Sequence, residues 1–242
     1  MSLLLPQWSV PANVRACSTM RPGGVSKMPW DSLNLGAHVG DNPEHVQRNR
    51  ERLVELAEMP AMPVWLEQVH GTRVLHLTGE EPQSLQADAA YTRKPGVVCA
   101  AMTADCLPVL FSSLDGKEVA VAHAGWRGLC AGILEATLDA FISPPQEILA
   151  WLGPAIGPNA FEVGPEVRAA FLAHDPTVSD AFRPAGEKYY ADIWQLAHRR
   201  LTARGVRHIT GGGICTVSQP EQFFSFRRDG VTGRMASFIW LI

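Results

Sequence analysis

The chain has 242 residues, 46% of them hydrophobic, with 21 Lys+Arg against 24 Asp+Glu and a net charge of −3. That length and apolar content can bury a large core as one α/β domain over residues 1–242, and the near-balanced charge excludes a nucleic-acid binder that works by a broad basic face. Five cysteines, at 17, 99, 106, 130 and 215, are odd in number and include no C-x-x-C pair, so they suit a reduced, cytoplasmic setting better than a disulfide framework.

The N-terminus, M-S-L-L-L-P-Q-W, lacks a basic leader and breaks its apolar run at Pro6, far short of a membrane span. The expectation is a soluble protein with no membrane association, and nothing in the chain calls for an obligate protein partner. Residues 18–26 (S-T-M-R-P-G-G-V-S) and 32–41 (S-L-N-L-G-A-H-V-G-D) are dense in turn formers and carry Arg21, Ser26, Asn34 and His38. Glycine-rich loops of this kind let a backbone approach a ligand closely, or merely turn the chain over a sheet. Asn42-Pro43-Glu44 then predicts a helix start, with Asn as N-cap, Pro at the first position and an acid in the first turn. Val46, Leu53, Val54 and Ala57 form its apolar face, and Arg48, Arg50 and Arg52 its basic one, most simply a solvated surface, although one at the edge of a pocket could bind an anion.

Pro60 and Pro63 end that helix and predict a strand through Trp65 to Val69, with His70-Gly71 at its tip and Val74–Leu77 beyond. After a polar segment at 80–86, Ala87-Asp88-Ala89-Ala90 leads into the next strand. Three apolar runs follow: Val97–Met102, Val109–Phe111 and, past the Asp115-Gly116 turn, Val119–Ala122. Their ends carry Cys106 in A-D-C-L-P and His123 in H-A-G-W-R-G. From Gly128 a helix is predicted through Leu129, Ile133, Leu134 and Leu138 until Ser143-Pro144-Pro145. Further on come a buried strand followed by a proline and glycine loop over 148–158, a short helix from Pro165 to about His174, and a polar loop to Lys188. A helix faced by Ile193, Leu196, Ala197 and Leu201 ends at Gly205, and a strand spans Val206–Thr210. The C-terminal stretch reads as two strands around an Asp-Gly turn, with Arg227, Arg228 and Arg234 clustered near it. There is no G-x-S-x-G, P-loop or H-E-x-x-H motif.

His70, Cys106 and His123 are metal-capable side chains beside Gly or Pro at predicted strand ends. Two imidazoles and one thiolate suit Zn2+ and leave one tetrahedral position open for water or substrate, the pattern of a catalytic site. The residue types leave two other readings open: a buried thiol with a core histidine, or a metal-free pair in which Cys106 is the nucleophile and His123 its base. The G-W-R-G turn opens a helix, where anions are favoured, and Arg127 supplies a planar fork that matches phosphate or carboxylate oxygens.

E-Q-V-H-G at 67–71, A-D-C-L-P at 104–108 and H-A-G-W-R-G at 123–128 resemble the signature blocks of the multicopper polyphenol oxidase (laccase-domain) family, read as zinc-dependent purine nucleoside phosphorylases. R-P-G-G-V-S, S-L-N-L-G-x-H-V-G-D, G-P-A-I-G-P-x-x-F-E-V-G and F-F-S-F-R-R-D-G-x-T-G-R-M-A extend the resemblance over nearly the whole chain. It implies a single-domain mixed-sheet α/β sandwich and one zinc on residues matching His70, Cys106 and His123. It further implies phosphorolysis of adenosine, inosine, guanosine and methylthioadenosine, with adenosine deamination as a second activity. Arg127, Arg21, Asn34 and Arg228 are the candidate substrate- or phosphate-binding residues. Some bacterial members are instead described as peptidoglycan editing factors acting on muropeptide precursors. A copper laccase ranks last, because the eight histidines (38, 45, 70, 76, 123, 174, 198, 208) contain no H-x-H pair of the multicopper kind.

Overall fold

The computed structural model describes residues 3–242; the first two residues of the N-terminal lead lie outside it. In chain order the elements are β1 (Leu3–Leu4), β2 (Val14–Thr19), α1 (Pro43–Leu56), β3 (Val74–His76), β4 (Ala89–Thr92), β5 (Val98–Thr103), β6 (Leu107–Ser113) and β7 (Val119–Ala124). Then follow α2 (Trp126–Ala131), α3 (Ile133–Asp139), β8 (Ile148–Leu152), β9 (Glu162–Val163), α4 (Pro165–His174), β10 (Phe182–Ala185), β11 (Lys188–Ala191), α5 (Ile193–Ala203), β12 (His208–Gly211), α6 (Phe226–Asp229) and β13 (Met235–Leu241).

A six-stranded mixed sheet, ordered β12-β8-β6-β7-β4-β3, is parallel only at its two edges. A four-stranded antiparallel sheet, β1-β2-β13-β5, packs against one of its faces, and a small sheet β10-β11-β9 lies to the other side. Alternation along the strands builds the layers. In β5, Cys99 and Ala101 look inward to meet Leu110, Val121 and Trp151 of the large sheet, while Val98, Ala100 and Met102 look outward to Leu35, Leu53 and Met59. In β7, Ala120, Ala122 and Ala124 face the helical layer of α2, α3 and α5, and Val119 and Val121 face the small gap between the sheets. Both faces of the central strands are therefore dry, which is why they read as continuous apolar runs. The mixed α/β sandwich expected from the sequence is the observed architecture, and no helix among the described residues is long and apolar enough to cross a membrane. All five cysteines are unpaired.

Several elements differ from the sequence reading, each for a local reason. The predicted strand from Trp65 to Val69 makes only isolated bridges, Val64 to Cys99 and Glu67 to Gln86. Gln68 takes over the ladder: its amide Nε2 donates to the Met102 carbonyl at 2.8 Å and its Oε1 accepts from the Met102 N–H at 2.7 Å, so a side chain satisfies the edge of β5. The helix after Gly128 is two helices, broken at Gly132 with φ +108°. The polar loop before Lys188 contains a 3-10 turn and the β10–β11 hairpin. The C-terminal pair of strands is one strand, β13, preceded by the four-residue helix α6, which Ser225 caps by accepting from the Arg228 N–H. By contrast α1 starts as expected, with the Asn42 side chain accepting from the Glu44 N–H and Pro43 in the first turn.

One buried carboxylate locks the far end of the large sheet. Glu118 accepts from the Tyr91 hydroxyl at 2.5 Å, the Ser143 hydroxyl at 2.5 Å and the backbone N–H groups of Ile142 and Ser143 at 2.7 and 2.9 Å. Burial pushes its carboxyl up, but these donors outweigh burial and hold it below its usual value of 4.5. Because the folded value lies below the unfolded one, the stabilisation is fully present above about pH 4.5 and is lost as pH falls through the folded value. Glu118→Gln is expected to melt below the wild type at pH 7, with the gap in Tm closing as the pH is lowered toward 3. A gap that holds constant across that range would contradict the assignment.

Candidate metal centre

The register of the large sheet sets the site. Leu107 pairs with Ala124 and Pro108 with His123, so Cys106 arrives level with the end of β7. His123, two residues beyond Val121, continues the face of β7 that looks toward the four-stranded sheet. Across from it Ala89 pairs with Ala122, which places Asp88 beside His123; the His123 N–H donates to the Asp88 carbonyl at 2.7 Å.

His70 comes from the irregular segment before β3 with φ +60°, a left-handed conformation uncommon for a residue with a Cβ. The Asp88 carboxylate, 0% exposed, holds that conformation by accepting from the N–H groups of Val69, His70 and Gly71 at 3.2, 2.9 and 2.7 Å. Cys106 follows a second such residue, Asp105 at φ +94°. The Asp105 carboxylate accepts from the Thr216 and Ser225 hydroxyls at 2.6 and 3.0 Å and from the Arg227 N–H at 2.7 Å, while its carbonyl accepts from the Ile156 N–H at 2.8 Å. Two buried acids thus clamp the backbone on which His70 and Cys106 are presented. The glycines of H-A-G-W-R-G serve the same end. A Cβ on Gly125 would lie 2.7 Å from His70 Cδ2 and 3.0 Å from Cys106 Sγ, and one on Gly128 would lie 2.9 Å from the Gly71 carbonyl.

The outcome is a cluster whose ligand atoms, one each from His70, Cys106 and His123, all lie within 4.8 Å of one another. Among the described residues it is the one such group of three or more His, Cys, Asp or Glu side chains. Cys106 Sγ is 3.8 Å from His70 Nε2, and the two imidazoles meet edge to face with centroids 4.7 Å apart. His123 Nδ1 is 2.9 Å from Asp88 Oδ1. A carboxylate can only accept, so Nδ1 carries a proton and Nε2 is the nitrogen turned to the cluster, the orientation of a metal-ligating histidine.

The electrostatics agree with a ligand set. Burial pushes the Cys106 thiol up, but the His123 and His70 imidazoles outweigh it and bring the value down to about 6. Burial pulls His123 down, whereas Cys106 and Asp88 raise it to about 9. Asp88 is held below the usual carboxylate range, because hydrogen bonds from His123 and from the backbone at Gly71 and Val69 overcome its burial. A thiolate facing an imidazolium is a pair that a divalent cation would replace by displacing a proton from the ring.

The cluster forms one wall of a cleft of about 250 Å³, whose other walls include His38, Gln68, Thr103, Phe226 and Arg234. Phe226 is 59% exposed, and the Arg234 guanidinium lies 6.0 Å from its ring centroid. Arg234 makes no ion pair among the described residues; its Nη1 donates to the carbonyls of Thr232 and Gly233. Burial, then Arg234 and Arg50, lower the His38 imidazole, keeping it neutral near pH 7.

The four residues expected to hold substrate or phosphate lie elsewhere. Arg127 is exposed, stacks on Trp126 at 4.5 Å and does not line the cleft. Asn34 is 0% exposed, and its amide is consumed by Gly36, Asp41 and the Arg234 N–H, so it shapes the loop that positions Arg234. Arg21 pairs with Asp31 at 3.0 Å in a separate shallow depression. Arg228 spends its donors on Asp229 and on the carbonyls of Thr216, Val217 and Phe223. The structure instead brings Arg234 and His38 to the cluster, and adds Asp88 and Asp105 behind it. A buried acid interrupting apolar surroundings, as in A-D-A-A and T-A-D-C, is the signal by which those two could have been found.

Known proteins resemble this chain over nearly its whole length. The family model described as multi-copper polyphenol oxidoreductase laccase matches residues 15–242. The chain is 63% identical over 240 residues to the purine nucleoside phosphorylase YfiH of Escherichia coli, covering 99% of each. It is 54% identical over 240 residues to a purine nucleoside phosphorylase of Pseudomonas aeruginosa, covering 98% of each. The crystal structure of a Neisseria meningitidis protein superposes with a TM-score of 0.96 at 48% identity, covering 100% of this chain and 99% of that one.

Proposed function

This chain belongs to the multi-copper polyphenol oxidoreductase laccase family, and we propose that it is a zinc-dependent purine nucleoside phosphorylase with adenosine deaminase as a second activity. The observation that carries the reading is the His70–Cys106–His123 cluster, the one such group among the described residues, opening onto a cleft with Arg234 in its wall. Two imidazoles and a thiolate within 4.8 Å fit one Zn2+ with a position to spare, and Asp88 supplies the carboxylate behind a ligating histidine. One cluster of three ligands does not fit a multinuclear copper centre. The relatives named as purine nucleoside phosphorylases support the substrate class.

When bound, zinc would supply Lewis-acid stabilisation of negative charge and activation of an oxygen nucleophile. The chain's own groups do the positioning. The Arg234 guanidinium holds the phosphate oxygens, taking the anion role expected of Arg127, and the exposed Phe226 ring offers a flat apolar surface for the purine. In phosphorolysis a phosphate oxygen bonds to the anomeric carbon as the C–N bond breaks, and the electron pair leaves with the base. His38, neutral in the same wall, carries the proton that phosphate loses and the purine gains. The substrates proposed are adenosine, inosine, guanosine and methylthioadenosine.

The Cys106–His123 pair favours one other reading, a metal-free hydrolase with Cys106 as nucleophile, since the thiol is already drawn down to about 6. Zinc-loaded protein incubated with adenosine and phosphate is expected to yield free adenine and ribose 1-phosphate, with inosine appearing more slowly. Chromatography with and without phosphate checks this. Absence of both products alongside turnover of a muropeptide precursor would replace the reading by peptidoglycan editing, and activity surviving complete chelation would favour the hydrolase.

A further inference from the structure

The cleft does not end at the metal-ligand cluster. His38, Gln68 and Met102 also line a neighbouring cavity of about 490 Å³, and Arg50, Trp65 and Leu85 are shared between that cavity and a third of about 580 Å³. The three form one furrow running from Cys106 past the loop at 34–38 toward Met62 and Val97.

Arg50 sits at its centre in an unusual state. It was expected on the solvated face of α1, yet its guanidinium is half-buried and stacks on the Trp65 ring at 4.1 Å. Its Nε and Nη2 both donate to the Leu35 carbonyl, at 3.0 and 2.8 Å. Its Nη1 has no hydrogen-bond partner, and the side chain has no ion pair, among the described residues. Burial lowers it to about 10, with no carboxylate opposing that effect. A guanidinium withdrawn from water without a counter-charge is costly, and a neutral wall would be the cheaper construction if the furrow served packing alone. Glu80 and Glu81 line only the outer cavity and make no ion pair with Arg50. Val64, Leu85 and Val97 form the apolar wall beside Arg50, while Glu67 and Gln68 line the middle cavity, Glu67 without an ion pair to Arg50.

We propose that the Arg50–Trp65 segment of the furrow is a second binding subsite, taking an oxyanion group carried on an apolar body. The carboxylate or phosphate meets the free Nη1 of Arg50, and the apolar body lies along Leu85 and Val97. The subsite is continuous with the reactive cleft, so its occupant is an anionic extension of a small molecule lying in both. The inference does not rest on the reaction proposed above, because it concerns binding at Arg50 and not the bond broken at Cys106.

The test is a titration of the intact protein, followed through the Arg50 Nε–H and Trp65 Nε1–H resonances in nitrogen-15 spectra. Phenyl phosphate is expected to shift both and to bind at least about tenfold more tightly than inorganic phosphate, one apolar ring being worth about 1.4 kcal/mol or more. Benzyl alcohol, neutral and of similar shape, should leave them unmoved. Arg50→Gln should abolish the phenyl phosphate response at Trp65, while Arg50→Lys, with the charge kept, should retain a weaker one with the fold intact. A Trp65 shift that persists in Arg50→Gln, equal binding of phenyl phosphate and inorganic phosphate, or an unresponsive wild type would each overturn the subsite.

Discussion

Cys106→Ala is expected to abolish metal binding and to lower nucleoside turnover by at least about a thousandfold, with the fold retained. The thiolate is the one charged ligand in the cluster, and its loss leaves two neutral imidazoles to hold a divalent cation. Outer-shell changes alone cost about 10–100-fold in metal affinity or activity, so removal of a first ligand must exceed that range. The fold should survive because Cys106 is only partly buried and the backbone around it is held by Asp105, whose carboxylate has three donors of its own. Cys106→Ser separates the readings: an oxygen donor weakens zinc binding but does not prevent it at high metal concentration, and activity should return in part as zinc is added. Elemental analysis alongside the phosphorolysis assay checks both variants. A Cys106→Ala protein that kept one equivalent of zinc would remove Cys106 from the ligand set.

The three residues of the cluster could be found in the sequence because each lies beside a change of texture, where an apolar run gives way to Gly, Pro or Asp. The central strands were legible for the same reason: buried on both faces, they carry almost no polar residue between Val97 and Phe111 apart from Thr103, Asp105 and Cys106. What was illegible depends on distant parts of the chain. Gln68 substitutes for a strand by reaching Met102, and no local pattern announces a side chain that will satisfy a backbone 34 positions away. Arg234 and His38 meet across the whole chain, because β13 returns to pair with both β2 and β5 and carries residue 234 back to the N-terminal loops. Arg127 drew attention through its motif, yet the glycines on either side of it are there for the close approach of His70 and Gly71. Arg50 looked like one of three surface arginines on a helix, and only the loop at 34–38 folding over it makes it different from Arg48 and Arg52.

Asp88→Asn carries the second large effect and tests whether the acid behind the cluster acts on the metal or only on the loop. Asp88 does two jobs with one carboxylate: Oδ1 accepts from His123 Nδ1 and from the His70 N–H, and Oδ2 accepts from Val69 and Gly71. An asparagine keeps the size but turns one of these acceptors into a donor. If its oxygen faces His123, its amide N–H meets the Val69 and Gly71 N–H groups. If it faces those, its amide meets the His123 ring and drives the proton to Nε2, the nitrogen that must ligate. Either orientation leaves buried donors opposed, at a cost of about 1–3 kcal/mol of stability, and zinc affinity should fall by about 10–100-fold. The two contributions separate experimentally. Metal affinity by competition with a chelator reports the His123 tautomer, and Tm of the metal-free protein reports the loop. Asp88→Glu, which keeps the charge but cannot keep all four distances, is expected to recover metal affinity more than Tm. Unchanged zinc affinity in Asp88→Asn, with only Tm lowered, would assign Asp88 to the His70 loop alone and leave His123 oriented by the packing of β7.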